Sequence, residues 1–307
     1  MPPDKNPLVS IVTVNFNQAE ATCELVDSLG HILYSNIEII VVDNNSEEES
    51  CQIIKKRFPN ILLINSPINY GFAAGNNLGI MRARGKYILL LNNDTVVTSG
   101  FLAPLIELME KTDSIGVVSP KILFYHHPDT IQYAGFTNIS KITSRNRKIG
   151  FGEIDKGQYN YSQETSYAHG AAMLVRAEVV KKVGMMSYAF FLYYEEADWC
   201  ERIRKAGYQI WFTGKSLVYH KESISTGKDS KLKLFYMSRN RILYLRRNRS
   251  GLTLFLSLIY ILTVAAPNQL IRLALAGKLK LVKVYLDALA WHIKMINKEE
   301  IFENPYL

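Results

Sequence analysis

An α/β fold is predicted, with a mostly parallel sheet flanked by helices and a helical, membrane-associating extension at the C-terminus. Three observations predict it. Short apolar, β-branched runs alternate with helix-patterned segments from residue 8 to residue 94. Two of those runs, 37–42 and 86–91, stop abruptly on clustered Asp and Asn. From about residue 226 the chain turns both basic and apolar.

The elements follow in order. "LVSIVTVNF" (8–16) comes after a proline and reads as a buried strand by its length and β-branching. "AEATCELVDSLG" (19–30) has helical character and a stop signal at Gly30. "IEIIVVDNNS" (37–46) is a second strand, "ESCQIIKKRFP" (49–59) a helix and "NILLINS" (60–66) a third strand. "GNNLGIMRARG" (75–85) is a helix closed by Gly85, and "KYILLLNND" (86–94) is the fourth strand. Strands joined by helices imply βαβ crossovers, and ligands then bind at the carboxyl ends of the strands. "DNNS" and "NNDT" both lie at that edge.

After residue 115 the pattern loosens. "SPKILFYHHPDTIQYAGF" is mixed, and the polar stretch 137–165 reads as a mobile loop. Order returns with "GAAMLVRAEVVKKVG" (170–184) and with "FFLYYEEADWCERIRKAGY" (190–208), a helix starting near Glu196. "QIWFTGKSLVYH" (209–220) reads as a final strand pair. The division expected is a globular domain over 1–225 and a basic, apolar helical region over 226–307.

Residues 215–283 hold 14 Lys/Arg and 2 Asp/Glu, whereas the remainder holds 22 and 26. A slightly acidic body with a basic tail calls for an anionic partner. The apolar run beside those charges favours an acidic membrane surface over nucleic acid. The 22 residues between Arg249 and Arg272 carry no charge, long enough for a bilayer of roughly 30 Å. Pro267, Asn268 and Gln269 break its last third, and both flanks are basic. An in-plane or re-entrant arrangement keeps those charges on one side, a true span does not, and a buried helix or dimer contact is the third alternative. Three scattered cysteines, with no metal-ligand or redox spacing, fit a reducing compartment. "MPPDKNPLVS" lacks the pattern of a signal peptide, so a cytoplasmic location or the inner face of a membrane is expected.

Four places could carry chemistry. Asp94 stands at a strand's carboxyl end near Asp43 and suits Mg²⁺ or Mn²⁺, although "NNDT" also reads as a plain turn. "NYGFAAGNN" (69–77) has glycines for close backbone approach and leads into a helix, where phosphate is favoured. It matches neither the Walker nor the dinucleotide pattern. In "YYEEADW" (193–199), a carboxylate beside aromatic rings loses solvation, and its pKa rises toward that of a base. The same acids also suit a helix start, and Asp198 with Arg202 suits a helix ion pair. His220 ends a strand and could join a metal site or simply lie at the surface. His126 and His127, in a Pro-containing loop, read as structural or acceptor-side.

Taken together and in order, these segments resemble the family-2 glycosyltransferases of GT-A fold, especially a bacterial rhamnosyltransferase-like branch. The matching stretches are "VSIVTVNFN", "IIVVDNNS", "NYGFAAGNN", "LLLNNDT", "GAAMLVRAEVVKKVG", "FFLYYEEADWCERIRKAGY" and "VYH", covering roughly residues 8–222. The resemblance implies donor-binding positions at Thr13, Asn15, Asp43, Asn45, Asn69, Gly71, Phe72, Asn76, Asn77, Asn92 and Asn93. "LLNNDT" stands where the family's DXD metal motif lies, with Asn92 replacing the first Asp. Asp94 and His220 would then hold the metal. "YEEAD" matches the Glu-Asp-x-Asp motif, which makes Glu196 the base, one methylene longer than the usual Asp, with Glu195 beside it. Gly170, Ala171, Met173 and Trp199 fall on the acceptor side.

The activity implied is transfer, with inversion, of a sugar such as rhamnose from a dTDP- or UDP-linked donor. The acceptor would be a glycan or lipid-linked hydroxyl in cell-surface polysaccharide synthesis. The setting would be the cytoplasmic face of a bacterial inner membrane, with an anionic membrane surface and a second copy of the chain as partners and no nucleic acid. Two other classes compete: a sugar-nucleotide nucleotidyltransferase and a non-catalytic membrane-bound sugar-nucleotide binder. The first usually carries a Gly-rich, basic loop after its first strand, and "NFNQAEATCE" has neither Gly nor Lys/Arg.

Overall fold

A computed structural model describes residues 6–221 and 230–294. The first half runs β1 (Val9–Asn15), α1 (Ala19–Leu29), β2 (Ile37–Asp43), α2 (Glu48–Arg57), β3 (Leu62–Asn65), α3 (Gly71–Ile80), β4 (Tyr87–Leu91), β5 (Thr95–Val97) and α4 (Leu102–Lys111). The second half runs β6 (Ile115–Phe124), β7 (His127–Tyr133), β8 (Ser162–Glu164), β9 (Ala172–Arg176), α5 (Ala177–Val183), α6 (Glu195–Lys205) and β10 (Gln209–His220). Helices α7 (Lys231–Asn248), α8 (Gly251–Tyr260), α9 (Ala266–Leu275) and α10 (Leu279–Lys294) follow.

One sheet carries the molecule, in the order β3-β2-β1-β4-β9-β6-β10-β5, with β7 on β6 and β8 on β10. The parallel character expected from the alternation holds for β3-β2-β1-β4 and for β6 with β10. The pairs made by β5, β7, β8 and β9 are antiparallel, so the sheet is mixed. Both faces are covered, which is why the central strands read as unbroken apolar runs. Ile11, Leu89 and Leu91 pack with α1 and α4 on one face. Val12, Ile40, Ile88 and Leu90 pack with α3 and α6 on the other.

Four expectations change. Helix α3 begins at Gly71, inside the expected glycine loop, and ends at Ile80. Gly75 and Gly79 are packing glycines: a Cβ would stand 3.0 Å from Val14 and 2.3 Å from Val12. Residues 209–220 form one strand rather than a pair, with a register shift between Thr213 and Leu217. There Gly214 passes so close to Tyr159 that a Cβ would lie 1.7 Å from its carbonyl oxygen. The 137–165 stretch is irregular but pinned: it contains β8, bridges Phe136 to Lys148, and offers Thr143 O to the Arg241 guanidinium on α7. Finally, no break appears at Pro267–Gln269, because Pro267 sits in the first turn of α9 after a π-helical turn at Ile261–Ala265. His126 and His127 lie exposed at the β6–β7 hairpin.

Gly251–Leu275 is therefore one 25-residue helical stretch whose most apolar 18 residues reach a mean hydropathy of 1.8, long enough to cross a membrane. Leu252, Phe255, Leu262 and Leu275 are exposed by 71%, 59%, 64% and 84%. The segment is not a core helix.

Candidate active site

A cleft of about 700 Å³ opens at the carboxyl ends of β1, β2 and β4. Its floor begins where β4 stops. Asn92 N–H donates to Ala171 O (2.9 Å), and Thr95 N–H and Oγ1 both bond Asn92 O (3.2 and 2.7 Å). That tight turn lets the chain re-enter the sheet at once as β5. Strand β5 pairs antiparallel with the end of β10, with Thr95 opposite His220. The pairing brings His220 Nε2 to 3.1 Å from Asp94 Oδ1, both side chains being about nine-tenths buried.

On its other side the imidazole is fixed by Gln132, whose side-chain amide lies 2.8 Å from His220 Nδ1. Asp94 Oδ1 and Asn92 Oδ1 are both buried without a hydrogen-bond partner. A carboxylate and an imidazole nitrogen 3.1 Å apart, with an orphaned amide oxygen on the same cleft wall, fit a hard divalent cation. Among the described residues no group of three or more His, Cys, Asp or Glu could hold a metal. Two protein ligands leave most of the coordination sphere to a substrate and water.

Beside the ends of β1 and β2 and the start of α3, Asn69, Gly71 and Phe72 line the cleft with Val14, Phe16 and Asn44. Asn44 was not foreseen. Its amide donates to Asn69 Oδ1 (2.9 Å) and Gly71 O (3.0 Å), and its oxygen accepts from Tyr70 N–H (3.1 Å), tying β2 to α3. The first N–H groups of α3 are spoken for: Gly71 N–H donates to Asn69 Oδ1, and Phe72 N–H to Phe191 O. This helix end offers the cleft its dipole rather than free donors.

Several expected donor residues turn elsewhere. Asp43 is 2% exposed and accepts from Asn15 Nδ2 (2.6 Å) and Ser46 N–H (2.9 Å). Asn15 also bonds Ser46, Ser50 and Thr22 side chains, so both residues brace the strand ends from behind. Thr13 is fully buried with an unpartnered hydroxyl, and Asn45 is exposed in a left-handed turn (φ 66°); neither lines the cleft. Asn76 bonds Phe72 O within α3, and Asn77 clasps both backbone groups of Met186. Asn93 lines the cleft while donating to Thr22 Oγ1 (3.1 Å).

Across the cleft, Gly170 and Ala171 are present as expected, and a Cβ on Gly170 would lie 3.8 Å from the Glu196 carboxyl carbon. Met173 is not: strand alternation sends it into the core with Ile88 and Leu90. Trp199 is also wholly buried, its indole N–H donating to Gly184 O (2.7 Å). Helix α6 points Glu195 and Glu196 into the cleft from its first turn. Both Oε2 atoms are buried without a partner. Burial pushes Glu196 up from the usual carboxylate range, and burial with the adjacent Glu196 charge pushes Glu195 well above it. Asp198, by contrast, is structural: it pairs with Arg202 (3.1 Å) and with Arg247 of α7 (3.0 Å).

Sequence reasoning also missed Gln132, Lys148, Tyr167 and His169 in the cleft wall. His169 accepts Ala171 N–H at Nδ1, and burial holds its pKa well below the usual value, so it stays neutral. Helix α7 contributes Leu232, Lys233 and Met237 to the same cleft.

Residues 10–184, more than half of the chain, match the sequence profile of glycosyl transferase family 2. The chain belongs to that family. A relative of this family-2 protein is the N-acetylglucosaminyl-diphospho-decaprenol L-rhamnosyltransferase of Mycobacterium tuberculosis, 21% identical over 80% of this chain and 86% of that one. An uncharacterized protein of Sinorhizobium fredii is 28% identical over 80% of this chain, which spans only 28% of that protein's length. Among solved structures, a Pyrobaculum calidifontis mannosyltransferase in complex with GDP-Man and Mn²⁺ superposes with TM-score 0.60. It is 13% identical, and the match covers 97% of this chain and 83% of that one. The fold of this glycosyltransferase is therefore GT-A.

A raised carboxyl pKa means the folded state binds the proton more tightly than the unfolded chain. The stabilisation is full at acid pH and is lost as pH rises through the folded-state pKa. Glu195→Gln is therefore expected to be more stable than the parent at pH 8, the gap closing toward about pH 4. Urea unfolding at both pH values checks this; a parent more stable than the variant at pH 8 contradicts it.

Proposed function

We propose that the chain is an inverting, metal-dependent glycosyltransferase that moves a sugar from a nucleoside-diphosphate donor to a hydroxyl of a glycan or lipid-linked acceptor. The observation that carries this reading is one cleft holding both the Asp94–His220 pair and the desolvated Glu196. Asp94 and His220 would hold Mg²⁺ or Mn²⁺, which when bound supplies positive charge for a departing diphosphate. The solved mannosyltransferase complex with GDP-Man and Mn²⁺ supports that choice of ligand class.

Glu196 takes the proton from the acceptor hydroxyl. Its raised pKa makes it a stronger base than a solvated carboxylate, at the expense of activity under mildly acidic conditions. The freed oxygen displaces the diphosphate at the anomeric carbon, on the opposite face. One displacement inverts that centre and needs no covalent enzyme intermediate. Asn44 and Asn69 set the donor wall, and the α3 dipole favours negative charge there.

The rhamnosyltransferase name of one relative supports rhamnose as the sugar and a diphosphate-lipid as the acceptor carrier. The exposed apolar side chains of α8 and α9, beside Arg272, Lys278 and Lys280, support docking on an anionic membrane surface at its cytoplasmic face. We assign 1–225 to catalysis and 226–307 to membrane docking, with α7 shared between the two.

Three outcomes are expected. Glu196→Gln lowers kcat by roughly 10²–10⁴-fold and Asp94→Ala abolishes transfer, both with unchanged circular dichroism. Full transfer by Glu196→Gln removes it as the base. A triple variant, Leu252→Gln with Phe255→Gln and Leu262→Gln, loses cosedimentation with phosphatidylglycerol vesicles while the parent binds them. Equal binding by parent and variant places the contact elsewhere.

A further inference from the structure

The segment that delivers Glu195 and Glu196 is strained. Phe191, Tyr193 and Tyr194 have φ of 61°, 70° and 76°, and none is glycine. Such a residue is costly and persists only where its surroundings over-determine it. Tyr194 is the N-cap of α6, so the strain ends at the peptide that begins the Glu195–Glu196 turn.

What over-determines the segment comes mainly from α7, beyond the residues that match the family profile. Asn240 is fully buried, and its side-chain amide donates to three carbonyls, Phe190 O (2.9 Å), Leu192 O (2.7 Å) and Tyr193 O (2.7 Å). Arg239 donates through Nη2 to Ala189 O (2.6 Å) and Phe190 O (2.7 Å). Its Nε donates to Asn240 Oδ1 (2.7 Å), which fixes which way the Asn240 amide faces. The guanidinium stacks against Tyr236 (4.7 Å) and Trp291 of α10 (4.9 Å). From the front, Phe191 O accepts Phe72 N–H (2.6 Å). It passes so near Gly71 that a Cβ there would lie 2.4 Å away.

Two buried polar side chains thus direct their donors at one strained loop. An apolar pair would pack α7 against it without the desolvation that Arg and Asn cost. Carbonyls turned inward by left-handed residues need donors, and these two supply them.

We propose that Arg239 and Asn240 are positioning residues for sugar transfer: they hold the Tyr188–Tyr194 segment in the conformation that presents Glu196 to the cleft. Through Phe191 O the same segment registers the base against the N-terminus of the donor-side helix α3. The inference rests on Glu196 being the base.

The test uses the full chain with Asn240→Leu, which keeps the volume and removes the donors, and Arg239→Lys, which keeps the charge but not the fork. Steady-state transfer is measured alongside donor titration by calorimetry, which counts binding-competent sites. The expected result is a kcat per site lower on the order of a hundredfold in Asn240→Leu and about tenfold in Arg239→Lys, with donor Kd within about threefold of the parent. A merely structural role would lower the number of competent sites and leave kcat per site unchanged, which overturns the proposal. So does kcat within about twofold of the parent in the folded variants. If Asn240→Leu does not fold, Arg239→Lys decides by the same criteria. Glu196→Gln, run in parallel, separates the two readings: full transfer there removes the base assignment itself, whereas loss there with normal Arg239 and Asn240 variants removes only the positioning role.

Discussion

Three residues of strand pairing organise the site. Thr95–Val97 run antiparallel to Val218–His220, and Thr95 opposite His220 is what sets the Asp94 carboxylate beside an imidazole nitrogen. Without that pairing Asp94 is a turn residue and His220 a strand end more than a hundred residues away. The tight turn at Asn92 makes the pairing reachable, and the fully buried β4 fixes where the turn begins. Gln132, from β7, holds the other face of the imidazole through Nδ1. A carboxylate and an imidazole nitrogen are thereby held 3.1 Å apart at the cleft, a donor set of the kind a divalent cation takes.

The opposite wall of the cleft stores unfavourable energy as well. Glu195 and Glu196 lie side by side at low solvation, each with a buried oxygen lacking a partner. Backbone hydrogen bonds at the start of α6 oppose the rise in their pKa but do not cancel it. The loop before them adds left-handed backbone at three bulky residues. Strain and desolvation of this kind concentrate where a fold serves chemistry, and the packed sheet behind the cleft supports them.

The first four strands were legible because a parallel sheet covered on both faces writes each strand as a continuous apolar run. Strands β7 and β8 were not, since their residues are mostly polar and they pair antiparallel at the margin of the sheet. Asp94, His220 and Glu196 were legible as strand ends and a helix start. Facing accounts for part of the rest. Asp43 turns away from the cleft while its neighbour Asn44 lines it, because successive residues at a strand end point to opposite sides. Met173 packs into the core with Ile88 and Leu90, whereas Ala171, also expected, lines the cleft. Asn76, Asn77 and Trp199 sit in matching segments, but helix packing turns them inward. Gln132, His169, Arg239 and Asn240 belong to no local motif, and their roles come from contacts that only the folded chain makes.

The most direct measurement is anomalous diffraction from crystals of the full chain grown with Mn²⁺ and a nucleoside diphosphate. The account predicts one Mn²⁺ peak at roughly 2.0–2.3 Å from both the Asp94 carboxylate and His220 Nε2, with diphosphate oxygens completing its shell. A bound diphosphate with the Mn²⁺ peak remote from Asp94 and His220 would contradict it.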